Sequence, residues 1–373
     1  MAVSNKNSTQ NDLNAVIAQF DFDGDFQSAL PFGNGHIHDT FLVTFKSGHI
    51  RTCILQRINN HVFRYIPEMM RNIEIVTSHI TSKLLDLCRN DIARKCLALI
   101  KTIQQQNYYK DSDNQYWRCF HYITDSHSFD SVDSTEVAFA AGTGYGQFHA
   151  LIADLDQAEL YETIPDFHNI NSRLKLFSAA VNRDPVGRTA EVDTEIRLVE
   201  KYAEEMRLIL ELGDAGQIPK RVTHNDTKIN NVLFDSSNKV LCVIDLDTVM
   251  PGYMHYDFGD AIRTATNTAE EDEADLQKVS MDVDLYEAFC KGFLQETGAM
   301  LTPVEIETMA FSPKLLAYIM GLRFLTDYID GDDYYKIKFE KHNLQRARAQ
   351  FKLLESMYEQ SEAMERIIKD CLC

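Results

Sequence analysis

No apolar run in the 373 residues approaches the length of a membrane span, so a membrane-crossing helix is excluded. The first residues, MAVSNKNSTQND, are polar. They lack the basic start and apolar stretch of a secretory signal, so a cytoplasmic location is expected, with residues 1–11 disordered. The 8 cysteines include no CxxC pair, and no His/Cys cluster has zinc spacing. Cys53 in TCIL and Cys242 in VLCVI sit inside apolar runs, so reduced, mostly buried thiols are expected. There is no internal repeat and no low-complexity tract. Positive charge is scarce: 37 Lys and Arg against 56 Asp and Glu leave a net charge of −19. Such a field repels phosphates overall and argues against general nucleic-acid binding. It leaves a nucleotide substrate open, because a metal cation and a few local basic groups reverse the field inside a cleft.

The length suffices for two lobes with full cores. DLNAVIAQF has helical apolar spacing. HDTFLVTF and IRTCILQRI read as strands joined by a turn at Lys46-Ser47-Gly48. Pro67 opens a helix through EMMRNIEIVTSHITSKLLD. DIARKCLALIKTI, ambiguous with helix, and QYWRCFHYI are further strand candidates. Beyond Ser126 the pattern turns helical: VAFAAGTGYGQFHALIADL, TEIRLVEKYAEEMRLILEL, DLYEAFCKGFLQET, Leu315 to Tyr328 and one long C-terminal helix. A strand pair, NNVLFD and VLCVID, interrupts it across a turn at Ser236-Ser237-Asn238. EEDEAD at 270–275 reads as a solvated helix start. The fold class is therefore α+β, with a small β-rich N-lobe over 1–123 and a larger, mainly helical C-lobe over 124–373.

The informative stretch is VTHNDTKINNVLFDSSNKVLCVIDLD, 222–247. Phosphoryl transfer to a hydroxyl needs a carboxylate to orient the hydroxyl and receive its proton. It also needs an acidic ligand for Mg²⁺ and a further oxygen ligand beside the metal. Asp226, Asp245 and Asn231 are the right types, and a buried strand ending at Val243-Ile244 holds Asp245 at a cleft. An isolated HND triplet would read as a helix or turn cap. Asn231 and Asp245 at kinase spacing favour the catalytic role. Asp257-Phe258-Gly259 spells the metal-binding triplet of protein kinases, but it lies 31 residues after Asp226. About 20 is expected there. Asp245, 19 residues on, fits. Asp247 is read either as a second metal ligand or as a stabiliser of the following turn.

H-x-D-x-x-x-x-N followed by I-D-x-D resembles the aminoglycoside-phosphotransferase and choline-kinase superfamily, distant relatives of protein kinases. The closer resemblance is to the N-acetylhexosamine 1-kinases. It is carried by GNGHIHDTFLV, ILQRIN, MRNIEIVTS, RVTHNDTKINN, IDLDTVMPG, DFGDAIR and GLRFLTDYIDGD, in order along nearly the whole chain. The resemblance implies a two-lobed protein-kinase-like fold and ATP as donor. It implies Asp226 as base, Asn231 and Asp245 as Mg²⁺ ligands, and Asp257 as a brace of the catalytic loop. It also implies acceptor contacts at His36, Asp226, Arg323 and Tyr334.

On the ATP side, Gly33 and Gly35 would let the backbone approach the phosphates closely. The strand ILQR offers Gln56 or Arg57, and no Lys, as the group reaching the α- and β-phosphates. Arg57 is chosen because it shares a strand face with Leu55, expected to line the adenine pocket; the alternative is an outward surface arginine. Glu74 resembles the partner carboxylate of that cation. Trp117 to Ile123 is the expected hinge. The activity expected is transfer of the ATP γ-phosphate to the anomeric hydroxyl of a hexosamine by a monomer that binds no nucleic acid and no membrane. The rivals are a kinase for another small alcohol and a pseudokinase that binds nucleotide without turnover.

Overall fold

A computed structural model describes residues 13–33 and 37–372. The expected disorder of residues 1–11 and the expected roles of Gly35 and His36 lie outside the described residues. Six strands form one antiparallel sheet: β1 (Phe26–Pro31), β2 (Asp39–Phe45), β3 (Thr52–Ile58), β4 (Leu99–Ile100), β5 (Tyr109–Lys110) and β6 (Tyr116–His121). Their order is β1-β2-β3-β6-β4, and β5 also pairs with β6. Side chains alternate across a strand, so β3 and β6 each present two different faces. Cys53, Leu55, Trp117 and Cys119 pack outward against Leu13, Val16, Ile17 and Phe20. Ile54, Gln56, Arg118 and Phe120 face the other way, into a cleft. Helix α1 (Ile66–Asp86), with Pro67 in its first turn, buries Met69, Met70, Ile73 and Val76 in the main core, which Ile58 and Phe120 of the sheet also join.

The rest of the chain is mainly helical. After α2 (Ile92–Lys95) come α3 (Thr135–Leu151), α4 (Ile170–Arg183), α5 (Asp193–Tyr202), α6 (Leu208–Asp214), α7 (Met254–Ala265) and α8 (Val283–Thr297). They are followed by α9 (Pro303–Met309), α10 (Ser312–Asp330), α11 (His342–Glu359) and α12 (Ser361–Asp370). Two small antiparallel pairs lie among them. β7 (Arg221–Thr223) pairs with β10 (Met250–Gly252), and β8 (Val232–Phe234) pairs with β9 (Val240–Val243). α3 and α8 pack almost backbone to backbone. A Cβ on Gly142 would come within 2.2 Å of the Phe289 carbonyl, and one on Gly292 within 2.2 Å of the Phe139 carbonyl. Only glycine permits that approach. No helix among the described residues is long and apolar enough to cross a membrane.

Several elements differ from the sequence expectation. DIARKCLALIKTI is neither one strand nor one helix; its charged half forms α2 and its apolar end supplies only the two residues of β4. The long C-terminal helix breaks at Gln360 into α11 and α12. TEIRLVEKYAEEMRLILEL breaks into α5 and α6 around a tight turn at Glu205–Arg207. Residues 270–275 are irregular rather than a solvated helix start. Glu271 is drawn to Arg263 at 3.4 Å, and Asp272 lies 2.8 Å from His342 Nε2 and 3.0 Å from Lys338 Nζ. These ion pairs tie the segment, which turns at 270–273, to its neighbours.

Candidate active site

β7 delivers the chain into the loop His224-Asn225-Asp226-Thr227-Lys228, and buried groups on α7 hold that loop. The two oxygens of Asp257 accept the backbone N–H groups of His224 and Asn225, each at 2.6 Å. Asp260 accepts the N–H of Thr227 at 3.0 Å, and the Thr227 hydroxyl donates to the Asp257 carbonyl at 2.6 Å. The His224 ring donates from Nε2 to the Ile244 carbonyl at 2.9 Å, which leaves Nδ1 to accept the Asp226 N–H at 3.3 Å. Asn225 takes a left-handed backbone, φ 65°, and its amide bonds the Thr248 carbonyl at 3.0 Å. These buried partners fix the turn of the chain before any ligand arrives.

Asp226 emerges from this frame with its Oδ1 3.0 Å from the Lys228 ammonium. Burial alone would raise its carboxyl. Lys228, and then His224, outweigh that and hold it below the ordinary aspartate value. Asn231 spends its amide N–H on the Asp226 carbonyl at 2.9 Å, which leaves its Oδ1 available. Asp245 follows β9 in a left-handed conformation, φ 60°. Burial, then Asp247 and Asp226, push its carboxyl up to about 6. Among the described residues no donor is bonded to it. A carboxylate so loaded with negative neighbours is a place where a divalent cation fits, with Asn231 Oδ1 as a second oxygen.

Asp247 settles differently. Arg118 grips both of its oxygens, Nη1 on Oδ1 and Nη2 on Oδ2 at 2.9 Å. His38 Nε2 donates to Oδ2 at 2.5 Å, its Nδ1 accepting the Asn59 N–H at 3.0 Å. His38, Asp245 and Asp247 bring ligand atoms within 4.8 Å of one another. Asp247 is already paired across the two lobes, a use that neither sequence reading, metal ligand or turn stabiliser, included. Burial opposes its charge; Arg118 and then His38 win and lower it well below the carboxylate range.

The cleft above these groups has a volume of about 470 Å³ and is lined by Gly33, Ile54, Gln56, Phe120 and Tyr122 among others. A larger cavity of about 560 Å³ opens between α1, α3 and β9 and contains none of these carboxylates. Gly33 sits at φ 77° with open space around its α-carbon, as a close backbone approach requires.

The expected phosphate cation is corrected. Arg57 lies on the outer face of β3, over the Trp117 ring at 5.8 Å and paired with Asp39. It is 45% exposed. Leu55 shares that face and lies in the outer core, not in an adenine pocket. The alternation argument was sound, but the burial of Leu55 by residues 13–20 assigns the face the other way. Gln56 faces the cleft, where its Oε1 accepts from Arg118 Nε at 2.9 Å and its Nε2 donates to Thr40 at 3.1 Å. Glu74 is corrected with Arg57: it pairs with Lys101 at 2.9 Å and Asn107 at 2.7 Å. Two cleft cations escaped the sequence reading. Arg118 was visible as a lone arginine in the apolar strand YWRCFH, and Lys228 as a lysine two residues after Asp226.

Of the residues expected to contact the acceptor, Arg323 and Tyr334 share a cavity of about 170 Å³ with Arg173 and Tyr335. Arg323 has no carboxylate at ion-pair distance among the described residues. Its guanidinium lies 5.2 Å from the Phe167 ring and 5.6 Å from the Tyr335 ring. Burial works against its charge, while Tyr335, Tyr334 and Asp226 favour it and hold it above the ordinary value. Tyr334 is 63% exposed at the rim, and Tyr335 points inward with a hydroxyl that lacks a partner. Asp327 pins both by accepting their backbone N–H groups at 2.8 and 2.9 Å.

Solved structures share this architecture. An aminoglycoside phosphotransferase from Alicyclobacillus acidocaldarius superposes with TM-score 0.62 at 13% identity, over 94% of this chain and 96% of that one. An amicoumacin kinase in complex with AMP-PNP, Ca²⁺ and Ami gives 0.58 at 12% identity, over 95% and 96%. A choline kinase from Cryptosporidium parvum gives 0.53 at 14% identity, over 90% of each. At these identities the likeness is one of fold, the small antiparallel sheet and helical lobe of this class. The sequence itself matches the model of the phosphotransferase enzyme family, that of the aminoglycoside phosphotransferases, over residues 28–289, and the chain belongs to that family.

Proposed function

We propose that the protein transfers the γ-phosphoryl group of ATP to the anomeric hydroxyl of an N-acetylhexosamine, giving the sugar 1-phosphate. The observation that carries the reading is the position of Asp226. It sits on a braced loop, with Asn231 bonded to its carbonyl, the Asp245 carboxyl raised in part by its charge, and the Arg323 guanidinium favoured by it. ATP occupies the cleft above Asp245, its phosphates passing under Gly33. Asp245 and Asn231 would hold Mg²⁺, which supplies charge neutralisation on the phosphates. Asp226 accepts a hydrogen bond from the acceptor hydroxyl and aims its oxygen at the γ-phosphorus. As that O–P bond forms, the bond to the ADP oxygen breaks and the hydroxyl proton passes to Asp226. Lys228 keeps Asp226 ionised and lies where charge on the transferring group can be shared. Arg323, Tyr334 and His36 are assigned to the sugar. The protein acts as a monomer.

The family's structural relatives include kinases named for aminoglycosides and choline, so another small alcohol is the competing acceptor. A coupled ADP-release screen over N-acetylglucosamine, N-acetylgalactosamine, galactose, glucose, choline and aminoglycosides decides between them. Phosphorylation at the anomeric position also consumes the reducing end, which a reducing-sugar assay reads directly. Rapid ADP release with choline or an aminoglycoside and none with the acetylated sugars would overturn the assignment.

A further inference from the structure

Helix α4 brings a second guanidinium to the acceptor cavity. Arg173 lines it beside Arg323, and its Nε and Nη2 both donate to the Phe167 carbonyl, at 3.2 and 2.7 Å. Neither arginine has a carboxylate at ion-pair distance among the described residues. The two acidic groups of the cavity wall are committed elsewhere. Asp327 accepts from Tyr334, Tyr335 and Asn343, and Asp330 pairs with Arg183 at 2.5 Å. The Tyr335 hydroxyl in the same wall is buried without a partner. His168, the residue after Phe167, donates to the Asn225 carbonyl at 2.9 Å and so fixes this wall to the catalytic loop.

Charges buried without a counter-charge at contact distance are expensive. Arg323 Nη1 has the Met320 sulfur at 3.5 Å and the more distant charge of Asp226 in its favour, and Arg173 has the Phe167 carbonyl. Burial, followed by repulsion from Arg323, lowers the Arg173 guanidinium to about 10. The chain as a whole carries −19, a field that draws amines toward any cleft. Two unpaired guanidiniums reverse that field at one end of the site.

We propose that Arg173 is a specificity-determining residue which, with Arg323, selects acceptors presenting uncharged or anionic oxygens and excludes those presenting an ammonium group. The inference rests on the reading that the acceptor sits between Asp226 and Arg323. Like charges brought together in a desolvated wall are strongly disfavoured, whereas carbonyl, hydroxyl and carboxylate oxygens all accept from guanidinium N–H groups.

The test compares acceptors that differ only in acylation of the amine: N-acetylglucosamine with glucosamine, and N-acetylgalactosamine with galactosamine. In the wild type kcat/KM for the amine is expected to fall by about 100-fold or more. Arg173→Gln should narrow that ratio by about tenfold with KM for ATP unchanged, and Arg173→Lys should retain it. Equal use of amine and amide by the wild type, or an unchanged ratio in Arg173→Gln, overturns the proposal. A second arm needs no acceptor. Sulfate replaces chloride at constant ionic strength while the melting temperature is followed in wild type, Arg173→Gln, Arg173→Lys and Arg323→Gln. A gain in wild type that both glutamine variants lose supports the paired site; an equal gain in all four overturns it. If no hexosamine is turned over, the proposed function fails, and the sulfate arm alone decides this inference.

Discussion

Lys228 beside Asp226 keeps its carboxyl ionised, so in the proposed reaction it would be a weak base that positions a hydroxyl oxygen and takes a proton late. Asp226→Asn preserves the shape and the hydrogen-bonded frame around it. Turnover should drop by on the order of 10² or more while ATP binding survives. Near-wild-type kcat in that variant would remove Asp226 from the chemistry. Asp245 and Asp257 separate two roles that look alike in sequence. Asp245 has open oxygens in the cleft, and Asp257 spends both of its oxygens on backbone N–H groups. Asp245→Ala should abolish Mg²⁺-dependent activity at a nearly unchanged melting temperature. Asp257→Ala leaves two buried N–H groups without acceptors, at about 1–3 kcal/mol each, and should melt several degrees lower. Metal titration of activity beside thermal melts of both variants checks the pair; a normal melt with lost metal dependence for Asp257→Ala would exchange the assignments.

At the scale of elements, the closest joint is α3 against α8. Gly142→Val would drive a side chain into the Phe289 carbonyl, and α8 cannot yield without disturbing Phe289 and Phe293 in the core. A loss of at least about 1–3 kcal/mol is expected in chemical denaturation, with the m-value retained. The sequence showed α3, α8 and the β2–β3 hairpin readily, because each is an apolar run of helix or strand length bounded by polar or turn residues. It showed α7 poorly. MHYDFGDAIRTA is buried on every side, and its polar residues Asp257, Asp260 and Arg263 are buried as well, so they do not mark a solvated helix face. β7 and β10 are three residues each, too short for any pattern. Within the site, Asp226, Asn231 and Asp245 were legible because one short segment carries all three at fixed spacing. Arg118, Arg173 and His38 come from distant segments and meet only in three dimensions. The mistaken face of β3 has the same origin, since which face of a strand meets the cleft depends on what residues 13–20 cover.

At the scale of the whole molecule, the sheet and the helical lobe meet, among the described residues, in one buried ionic contact, Asp247 with Arg118 and His38. The Asp247 and Arg118 side chains are each 2% exposed. Arg118→Met leaves the buried Asp247 carboxylate with His38 as its remaining partner and should lower stability by about 3–5 kcal/mol. Arg118→Met combined with Asp247→Leu removes both charges and should recover most of the loss. A double variant no more stable than the single one would mean that the contact is incidental. The same contact governs how the lobes can move. Gln56 and Thr40 steady Arg118 from the sheet, while the turn after β9 carries Asp247 from below, so each lobe holds its half of the pair firmly. A joint of that kind behaves as an axle. Rocking about it leaves the charges together, whereas gaping or sliding would bare a guanidinium and a carboxylate in the same instant. If nucleotide binds in this cleft as proposed, the expected entry is through a small swing about this contact.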